Sequence, residues 1–284
     1  MDSQQNPVRG VLWMIGAVLS FALMAVAVRE LLRHMSVLEI LALRTLVTLL
    51  LISGLVLRYG VAPLRTRRFP AHAARAVLHL GGQWCWMYAI GVLALATVFA
   101  IEFTMPVWVA ILAALFLGER LNQGRMVQLA LGLTGVLIIL RPGLGAFNPG
   151  ALVMLVGSML YASSMILTKR LSATDSALAV TFWMSVVQFP ITLLGALPAW
   201  VTPMLVDVPW IIAIGAGSFA AHYSMTRAMK LADATVVVPV DFIRLPLIAV
   251  VGAVFYAEPF DPMVIVGALI IFTGTYYSLS RERR

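Results

Sequence analysis

The sequence contains an internal repeat of nearly half its length, and this repeat constrains the fold more than any other feature. Identical or similar residues recur at a shift of 140 positions near the start of each half and of 139 positions further on. The matched pairs are Gly10 and Gly150, Phe21 and Tyr161, Arg29 and Lys169, Glu102 and Asp241, Phe103 and Phe242, and Glu119 and Glu258. A repeat of this length predicts two copies of one structural unit, residues 1–141 and 142–284.

The composition identifies the class of protein. Hydrophobic residues make up 62% of the chain and charged residues 11%, which is far from the range of soluble domains. A membrane-spanning helix needs about 20 mostly apolar residues, and the chain supplies ten such runs. They lie at roughly 8–28, 37–57, 74–94, 97–117, 123–140, 150–168, 176–197, 209–227, 234–256 and 262–280. We therefore predict an all-α polytopic membrane protein with ten transmembrane helices.

Basic residues predict the orientation in the membrane. The net charge of +8 would suggest nucleic-acid binding in a soluble protein, but membrane proteins place Lys and Arg in cytoplasmic loops. With the N-terminus in the cytoplasm, fifteen Lys and Arg residues fall on the cytoplasmic side and three on the other, and two lie within the membrane. We expect both termini to be cytoplasmic in a bacterial-type inner membrane, with lipid and not nucleic acid as the surrounding partner.

The number of helices in each repeat determines how the two halves are related. Five helices per repeat is an odd number, so the second repeat enters the membrane from the opposite side. The halves are then inverted copies around an axis in the membrane plane. Inverted repeats are typical of secondary transporters, whose substrate site lies near mid-membrane between the halves. Ancestral duplication without a transport role is the alternative, and we favour transport.

Two sequence motifs resemble a known family. The first half reads FLGER at 116–120 and LTGVLIILRPG at 133–143, and the second reads FYAEP at 255–259 and FTGTYYSLS more loosely. These motifs resemble the EamA repeat of the drug/metabolite transporter superfamily. The resemblance implies a basket of ten helices around a central cavity, lined by the first four helices of each repeat. Among the members, it suggests the bacterial amino-acid exporters of the YddG type.

Five charged residues of the predicted helices stand out, because a charge in the bilayer centre costs about 2.5–3.5 kcal/mol or more. One of them, Glu39, lies near the outer end of the second segment and is expected at the membrane interface, and the other four lie deeper. Arg44 lies in the second segment, Glu102 in the fourth, and Asp241 and Arg244 in the ninth. Asp241 and Arg244 are three residues apart and share a helix face. They could form a structural ion pair or part of a substrate site. Glu102 has no partner visible in the sequence, which favours a role in the cavity or in proton coupling.

Prolines lie beside these charges. Pro106, Pro239 and Pro246 interrupt the fourth and ninth segments. Broken helices at corresponding places in two halves indicate a binding site or hinge. Proline kinks are also frequent in ordinary membrane helices.

Large polar and aromatic side chains add candidates for substrate contact. In the third segment three of them share one helical stripe at spacings of four and three, and others lie in the sixth, seventh and eighth segments. These candidates are His79, Gln83, Trp86, Tyr161, Trp183, Gln188 and His222. Hydrogen bonds between helices are the alternative role for such groups. Glu119 and Glu258, which end the fourth helix of each repeat, are expected to stabilise turns.

We interpret these patterns as a carrier that exports amino acids, neutral or aromatic, by alternating access. Arginines would meet a carboxylate, and acids an ammonium group or a proton. The alternatives within transport are a nucleotide, a nucleotide-sugar, S-adenosylmethionine or a cationic compound. An intramembrane enzyme is the alternative of another class, but the chain lacks G-x-S-x-G and H-E-x-x-H. No cofactor, metal site or catalytic residue is predicted.

Overall fold

The computed structural model describes residues 6–117, 122–141, 148–171 and 174–282. Within these residues the chain is helical and contains no β-strand. The α-helices are α1 (Pro7–Leu31), α2 (Val37–Tyr59), α3 (Phe69–Val92), α4 (Leu95–Glu102), α5 (Met105–Leu117), α6 (Gln123–Leu140), α7 (Pro149–Leu171), α8 (Ala177–Ala196), α9 (Val208–Leu231), α10 (Ala234–Phe242), α11 (Arg244–Tyr256) and α12 (Pro262–Glu282). Short 3-10 turns lie at Ala62–Leu64, Leu197–Ala199 and Leu205–Asp207. Glu119 lies outside the described residues.

Nine helical segments of the described chain are long and apolar enough to cross a membrane, against the ten predicted. The segment that does not meet this criterion is α3. It has 24 residues, so its length of about 36 Å at ~1.5 Å per residue is sufficient to span. It differs in composition, because it carries His72, Arg75, His79 and Gln83 on one helix. Such side chains lower the mean hydropathy of a segment whatever its position in the fold.

The fourth and ninth crossings are each broken in the middle. The fourth consists of α4 and α5, which are separated at residues 103–104, and the ninth consists of α10 and α11, which meet at residue 243. Pro106 is the second residue of α5 and Pro246 is the third residue of α11. Backbone N–H groups in the first turn of a helix have no acceptor within that helix, so a proline there costs no hydrogen bond. Pro239 lies inside α10. The breaks thus coincide with the predicted proline positions, and a hinge role for them stays a prediction.

The two halves of the chain pack into each other. The closely packed pairs include α1 with α9, α3 with α7, α2 with α8, α6 with α12, and α4 with α11. Each pair joins a helix from before residue 141 to one from after residue 148. Backbones approach closely where residues are small: a Cβ atom on Gly135 in α6 would lie 2.5 Å from the carbonyl oxygen of Gly267 in α12. The core therefore belongs to both halves together.

Helix ends meet at two faces of the molecule. At one face the start of α1 adjoins the end of α9, where the Asn6 N–H donates to the Leu231 carbonyl at 2.9 Å. We call this the N-terminal face. At the other, the ends of α1 and α3 meet, and the Arg29 guanidinium donates to the Leu93 carbonyl at 2.8 Å. We call this the distal face.

Candidate functional site

The two helix breaks bring three charged side chains together. Glu102 is the last residue of α4, Asp241 is next to last in α10, and Arg244 is the first residue of α11. Arg244 Nη1 lies 3.4 Å from Glu102 Oε1, and its Nη2 lies 3.5 Å from Asp241 Oδ2. The indole N–H of Trp86 in α3 donates to Glu102 Oε2 at 2.7 Å. We call these four residues the charge cluster; with both carboxylates ionised, its formal charge is −1.

Aromatic rings surround the Arg244 guanidinium. Its Cζ atom lies 4.6 Å from the ring centroid of Phe21 and 5.0 Å from the centroids of both Phe99 and Phe103. Arg244 as a whole is 4% exposed. Cation–π contacts at these distances stabilise a desolvated guanidinium by about 2 kcal/mol. Arg244 is therefore held by two carboxylates and three rings.

A second polar group forms around Arg44, which is buried in α2. The amide of Gln83, oriented by its hydrogen-bond partners, accepts from both terminal nitrogens of Arg44, with 3.1 Å to Nη2. Tyr161 of α7 lies in the neighbourhood of the Arg44 guanidinium. No acidic side chain in the described ranges forms an ion pair with Arg44, and its Nε is buried without a partner. Among the residues that the structure describes, the charge of Arg44 thus has no ion-pair partner.

Two polar side chains, His79 and Gln188, connect α3 to the second half of the chain. The Gln188 amide of α8 donates to the Ala76 carbonyl at 2.9 Å and lies 3.3 Å from His79 Nδ1. The ring of His79 contacts that of Tyr161 edge to face, with centroids 5.4 Å apart. We call Arg44, His79, Gln83, Tyr161 and Gln188 the Arg44 patch.

His222 lies between the Arg44 patch and the charge cluster. Its Nδ1 donates to the Ser218 carbonyl at 2.8 Å, which leaves Nε2 as the acceptor nitrogen of a neutral ring. The ring contacts Phe21, which also covers Arg244, at a centroid distance of 5.8 Å. Arg44 and Arg75 lie in its neighbourhood. His222 is an exposed residue, and its ring is held by a backbone carbonyl of its own helix and by the ring of Phe21.

Trp183 lies apart from both groups. Its indole N–H donates to the Leu64 carbonyl at 2.9 Å, and its ring packs edge to face on Phe69 at 5.4 Å. Leu64 belongs to the 3-10 turn between α2 and α3, so Trp183 fastens that connection to α8. Of the eleven residues predicted to contact substrate, the other ten lie in the charge cluster, the Arg44 patch or His222 between them.

The sequence analysis missed the aromatic rings around Arg244. Phe21 and Phe103 could have been identified from the internal repeat, because they match the aromatic residues Tyr161 and Phe242 in the second half. Phe99 had none, since one Phe in an apolar run resembles any lipid-facing residue. Only the packing of α1 and α4 against α11 reveals the arrangement.

Arg75 is a further basic side chain on α3. Its Nε donates to Thr168 Oγ1 at 2.5 Å and its Nη1 to the Val180 carbonyl at 3.3 Å. Helix α3 begins several residues before the predicted segment because Pro70 starts it well, as Pro does in a first turn. Arg75 thus connects α3 to α7 and α8.

Metal ligands do not converge in the part of the chain that the structure describes. No group of three or more His, Cys, Asp or Glu side chains is arranged to hold an ion there.

Comparison with known proteins identifies one family along the chain. The sequence profile of the EamA-like transporter family matches residues 8–141 and again residues 148–280. A solved crystal structure has the same fold, with a TM-score of 0.67 at 17% sequence identity, over 95% of this chain and 96% of that one.

Curated relatives are transporters with several substrates. The chain is 23% identical to the S-adenosylmethionine uptake transporter of Rickettsia prowazekii, over 100% of this chain and 96% of the relative. It is 28% identical to the riboflavin transporter of Vibrio cholerae, over 100% and 98% of the two chains. It is 27% identical to the pseudopaline exporter of Pseudomonas aeruginosa, over 97% of each chain.

Proposed function

Because this chain belongs to the EamA-like transporter family, we propose that it is a secondary transporter that moves a zwitterionic metabolite across a bacterial inner membrane by alternating access. Its favoured substrates are amino acids, neutral and aromatic ones in particular, and its favoured direction is export. One observation carries this proposal: the site separates a net positive charge at the Arg44 patch from a net negative charge at the charge cluster.

The separation of charge assigns a role to each group. Arg244 already forms ion pairs with the carboxylates of Glu102 and Asp241, so it is poorly suited to bind the carboxylate of a substrate. Arg44 has no acidic partner among the described residues, and its unpaired Nε would gain a hydrogen bond from a substrate carboxylate. On the other side, Asp241 Oδ1 is buried without a partner and would accept from a substrate ammonium group. An amino acid satisfies both unpaired atoms, which otherwise cost about 1–3 kcal/mol each.

The rings between the two groups favour an aromatic or other apolar side chain. Phe21, Trp86 and Tyr161 each contact a member of the charge cluster or the Arg44 patch. Rings of this kind stack on an aromatic substrate, and they also attract an ammonium group through their faces. A strongly polar substrate side chain would find fewer partners here.

The packing supports the inverted relation of two repeats, 1–141 and 142–284. Helix α1 begins at the N-terminal face, whereas α7, its counterpart in the repeat, begins near the distal end of α3, where the Asn148 amide donates to the Val92 carbonyl at 3.4 Å. The pairs α1–α9 and α7–α3 exchange under the repeat, and the pairs α2–α8 and α6–α12 each join two helices that correspond to each other. The contact of α4 with α11 joins the fourth crossing to the ninth, which are also counterparts in the repeat. With α3 included, the chain has ten crossings.

The distribution of charge supports the orientation. Counted from the predicted segments, fifteen Lys and Arg residues fall on the side of the N-terminus and three on the opposite side. By the positive-inside rule, the N-terminal face is then the cytoplasmic one, with both termini on that side. Glu102 is the candidate for proton coupling, because it is the acid that links the two broken crossings.

S-adenosylmethionine is the second candidate substrate. It carries an α-amino-acid group like the leading candidates and a further positive charge on sulfur. The charge cluster has two acids and rings that suit a cation, which favours this candidate. Riboflavin is uncharged at neutral pH, so it would use neither charged group of the site.

Counterflow in liposomes tests the proposal. Purified protein is reconstituted in vesicles preloaded with one unlabelled compound, and uptake of the same labelled compound is followed. The panel contains neutral and aromatic amino acids, S-adenosylmethionine and riboflavin. We expect amino acids to drive accumulation, and we expect Arg44→Ala and Glu102→Gln to abolish it, while Arg281→Gln, an exposed position on α12, leaves it unchanged.

The outcome discriminates between the candidates. Accumulation driven by S-adenosylmethionine but by no amino acid would replace the leading substrate with the second. Accumulation driven by riboflavin alone, and insensitive to Arg44→Ala, would overturn the argument from charge separation.

A further inference from the structure

A hydrogen-bonded network joins four helix ends at the distal face. Glu258, just beyond α11, forms an ion pair with Arg29 at the end of α1. Its Oε2 accepts from the backbone N–H of Leu95, the first residue of α4, at 2.8 Å. Arg29 in turn donates to the carbonyl of Leu93, which follows α3, at 2.8 Å. We call Arg29, Leu93, Leu95 and Glu258 the distal latch.

The backbone is shaped to aim the Glu258 carboxylate at α4. Ala257 has a φ of 51°, in the left-handed region that a non-glycine residue rarely adopts. This turns the chain back so that the Glu258 N–H donates to the Gly252 carbonyl at 3.0 Å. The side chain of Glu258 packs directly against Gly252, so a Cβ atom at that position would displace the carboxylate. The carboxylate meets the start of α4, where free N–H groups favour a negative charge.

The helices form two groups that meet on the distal side. One group contains α1, α9, α10 and α11, and the other contains α3, α4, α5 and α7. On the distal side, α4 packs on α11 and α1 packs on α3. The corresponding contacts toward the N-terminal face would be α5 with α10 and α7 with α9, and neither pair packs comparably among the described residues. The two groups are therefore closed together distally and separated at the N-terminal side.

The distal latch crosses the boundary between these groups. Arg29 and Glu258 belong to the group of α1 and α11, whereas Leu93 and Leu95 adjoin α3 and α4 of the other. Both hydrogen bonds across the boundary use a charged side chain from the first group and a backbone group from the second. Charge-assisted bonds of this kind are about twice as strong as neutral ones.

We propose that the distal latch is the gate that holds the distal side closed while the site is open toward the N-terminal face. Arg29 and Glu258 are positioning residues of the transport cycle, since both cross-boundary bonds must break before the site opens distally. This inference rests on the proposed alternating-access function. It concerns residues that lie apart from the charge cluster and the Arg44 patch.

Distance measurements between spin labels test the gate without any substrate. Cys85 is the single cysteine of the sequence, so Cys85→Ser gives a cysteine-free background. Labels are placed at Val92 on α3 and Phe255 on α11, both exposed and in different groups. We expect one short distance in this background, and a longer second population in Arg29→Ala and Glu258→Ala. Glu258→Gln keeps an acceptor for Leu95 but loses the ion pair, so its longer population should be smaller.

A matched control uses another ion pair of the same face. Arg141 and Asp261 pair between the end of α6 and the start of α12, which belong to neither helix group. Arg141→Ala should leave the label distance unchanged. Equal distances in Glu258→Ala, Arg29→Ala and the background, with all proteins monodisperse after purification, would overturn the gate.

The transport proposal can fail separately. If Glu258→Ala opens the distal side but the wild type shows no counterflow with any compound of the panel, the gate proposal stands and the proposed function is overturned. A protein that transports but never changes the Val92–Phe255 distance would retain the function and overturn the gate.

Discussion

The rings of Phe103 and Phe242 stack face to face, with centroids 4.1 Å apart and 13° between their planes. The two residues occupy the same position of the internal repeat, one at each helix break. They directly follow Glu102 and Asp241, so the stack joins the two broken crossings beside the charge cluster. Because Phe103 and Phe242 are counterparts in the repeat and contact each other, the stack lies at the interface between the two halves of the chain.

This stack predicts an energetic coupling between the halves. Phe103→Leu and Phe242→Leu should each destabilise the protein, and the double variant should lose less than the sum, by about 0.5–1.5 kcal/mol. Thermal or denaturant unfolding in detergent measures this double-mutant cycle. Additive effects would mean that the ring contact contributes nothing beyond apolar packing.

Arg44 predicts selectivity for the substrate carboxylate. Arg44→Gln should weaken binding of an amino-acid substrate by about 10- to 150-fold, since a charged hydrogen bond contributes about 1.5–3 kcal/mol. Calorimetry on the purified protein measures the dissociation constant. The amine that lacks the carboxyl group should bind the wild type and the variant equally. A similar loss for that amine would show that Arg44 acts through the structure of the site.

Arg244 predicts a strong effect on stability. Its removal in Arg244→Ala leaves Glu102 and Asp241 without their partner, and breaking a buried ion pair costs about 3–5 kcal/mol. Addition of Glu102→Gln removes one of the two unpaired charges and should recover part of this loss. Unfolding in detergent compares the single and double variants. No recovery would indicate that the rings around Arg244, and not its charge, dominate its contribution.

We expect the stability of the protein to depend on pH through Asp175, which lies in the connection between α7 and α8. His72 Nε2 lies 2.6 Å from its Oδ2, and the Thr66 hydroxyl donates to the same oxygen at 2.5 Å. These hydrogen bonds lower the pKa of Asp175 from its ordinary 3.8 to about 2. A depressed carboxyl pKa stabilises the folded state above the unfolded-state value, and this contribution is lost as the pH falls toward the folded value.

The unfolding temperature of Asp175→Asn should therefore lie below that of the wild type by a constant amount between about pH 5 and pH 7. The difference should shrink below about pH 4, as the wild-type carboxylate becomes protonated in the unfolded chain. A difference that stays constant down to about pH 3 would show that folding does not lower the pKa of Asp175.

Gly135 predicts a steric effect at the contact of α6 and α12. Gly135→Ala would place a Cβ atom 2.5 Å from the Gly267 carbonyl oxygen, so the helices must separate and the protein should lose stability. Gly54 in α2 is the matched control, because a Cβ atom there meets nothing within 4 Å. Gly54→Ala should be neutral or stabilising by about 0.5–1 kcal/mol. Equal unfolding temperatures for both variants would contradict close packing at Gly135.

Much of the architecture follows from the sequence alone, because it depends on local properties. Runs of about 20 apolar residues form helices in a bilayer whatever their neighbours, and Pro106 and Pro246 lie where the crossings break. The internal repeat relates Glu102 to Asp241 in the sequence itself. The family match extends over both halves. The polar stripe of α3 identified His79, Gln83 and Trp86 by spacing.

The partners of these residues depend on tertiary structure. Asp241 and Arg244 share a helix face by spacing, but only the packing of α4 on α11 brings Glu102 to the same guanidinium. The arrangement of the helices also surrounds Arg244 with rings, leaves Arg44 without an acidic partner among the described residues, and places Trp183 against Leu64. Glu258 contacts Arg29 across 229 positions of the chain, a distance over which no sequence pattern specifies contact. Periodicity and composition determine which residues can lie in the membrane, whereas the arrangement of the helices determines which charges meet.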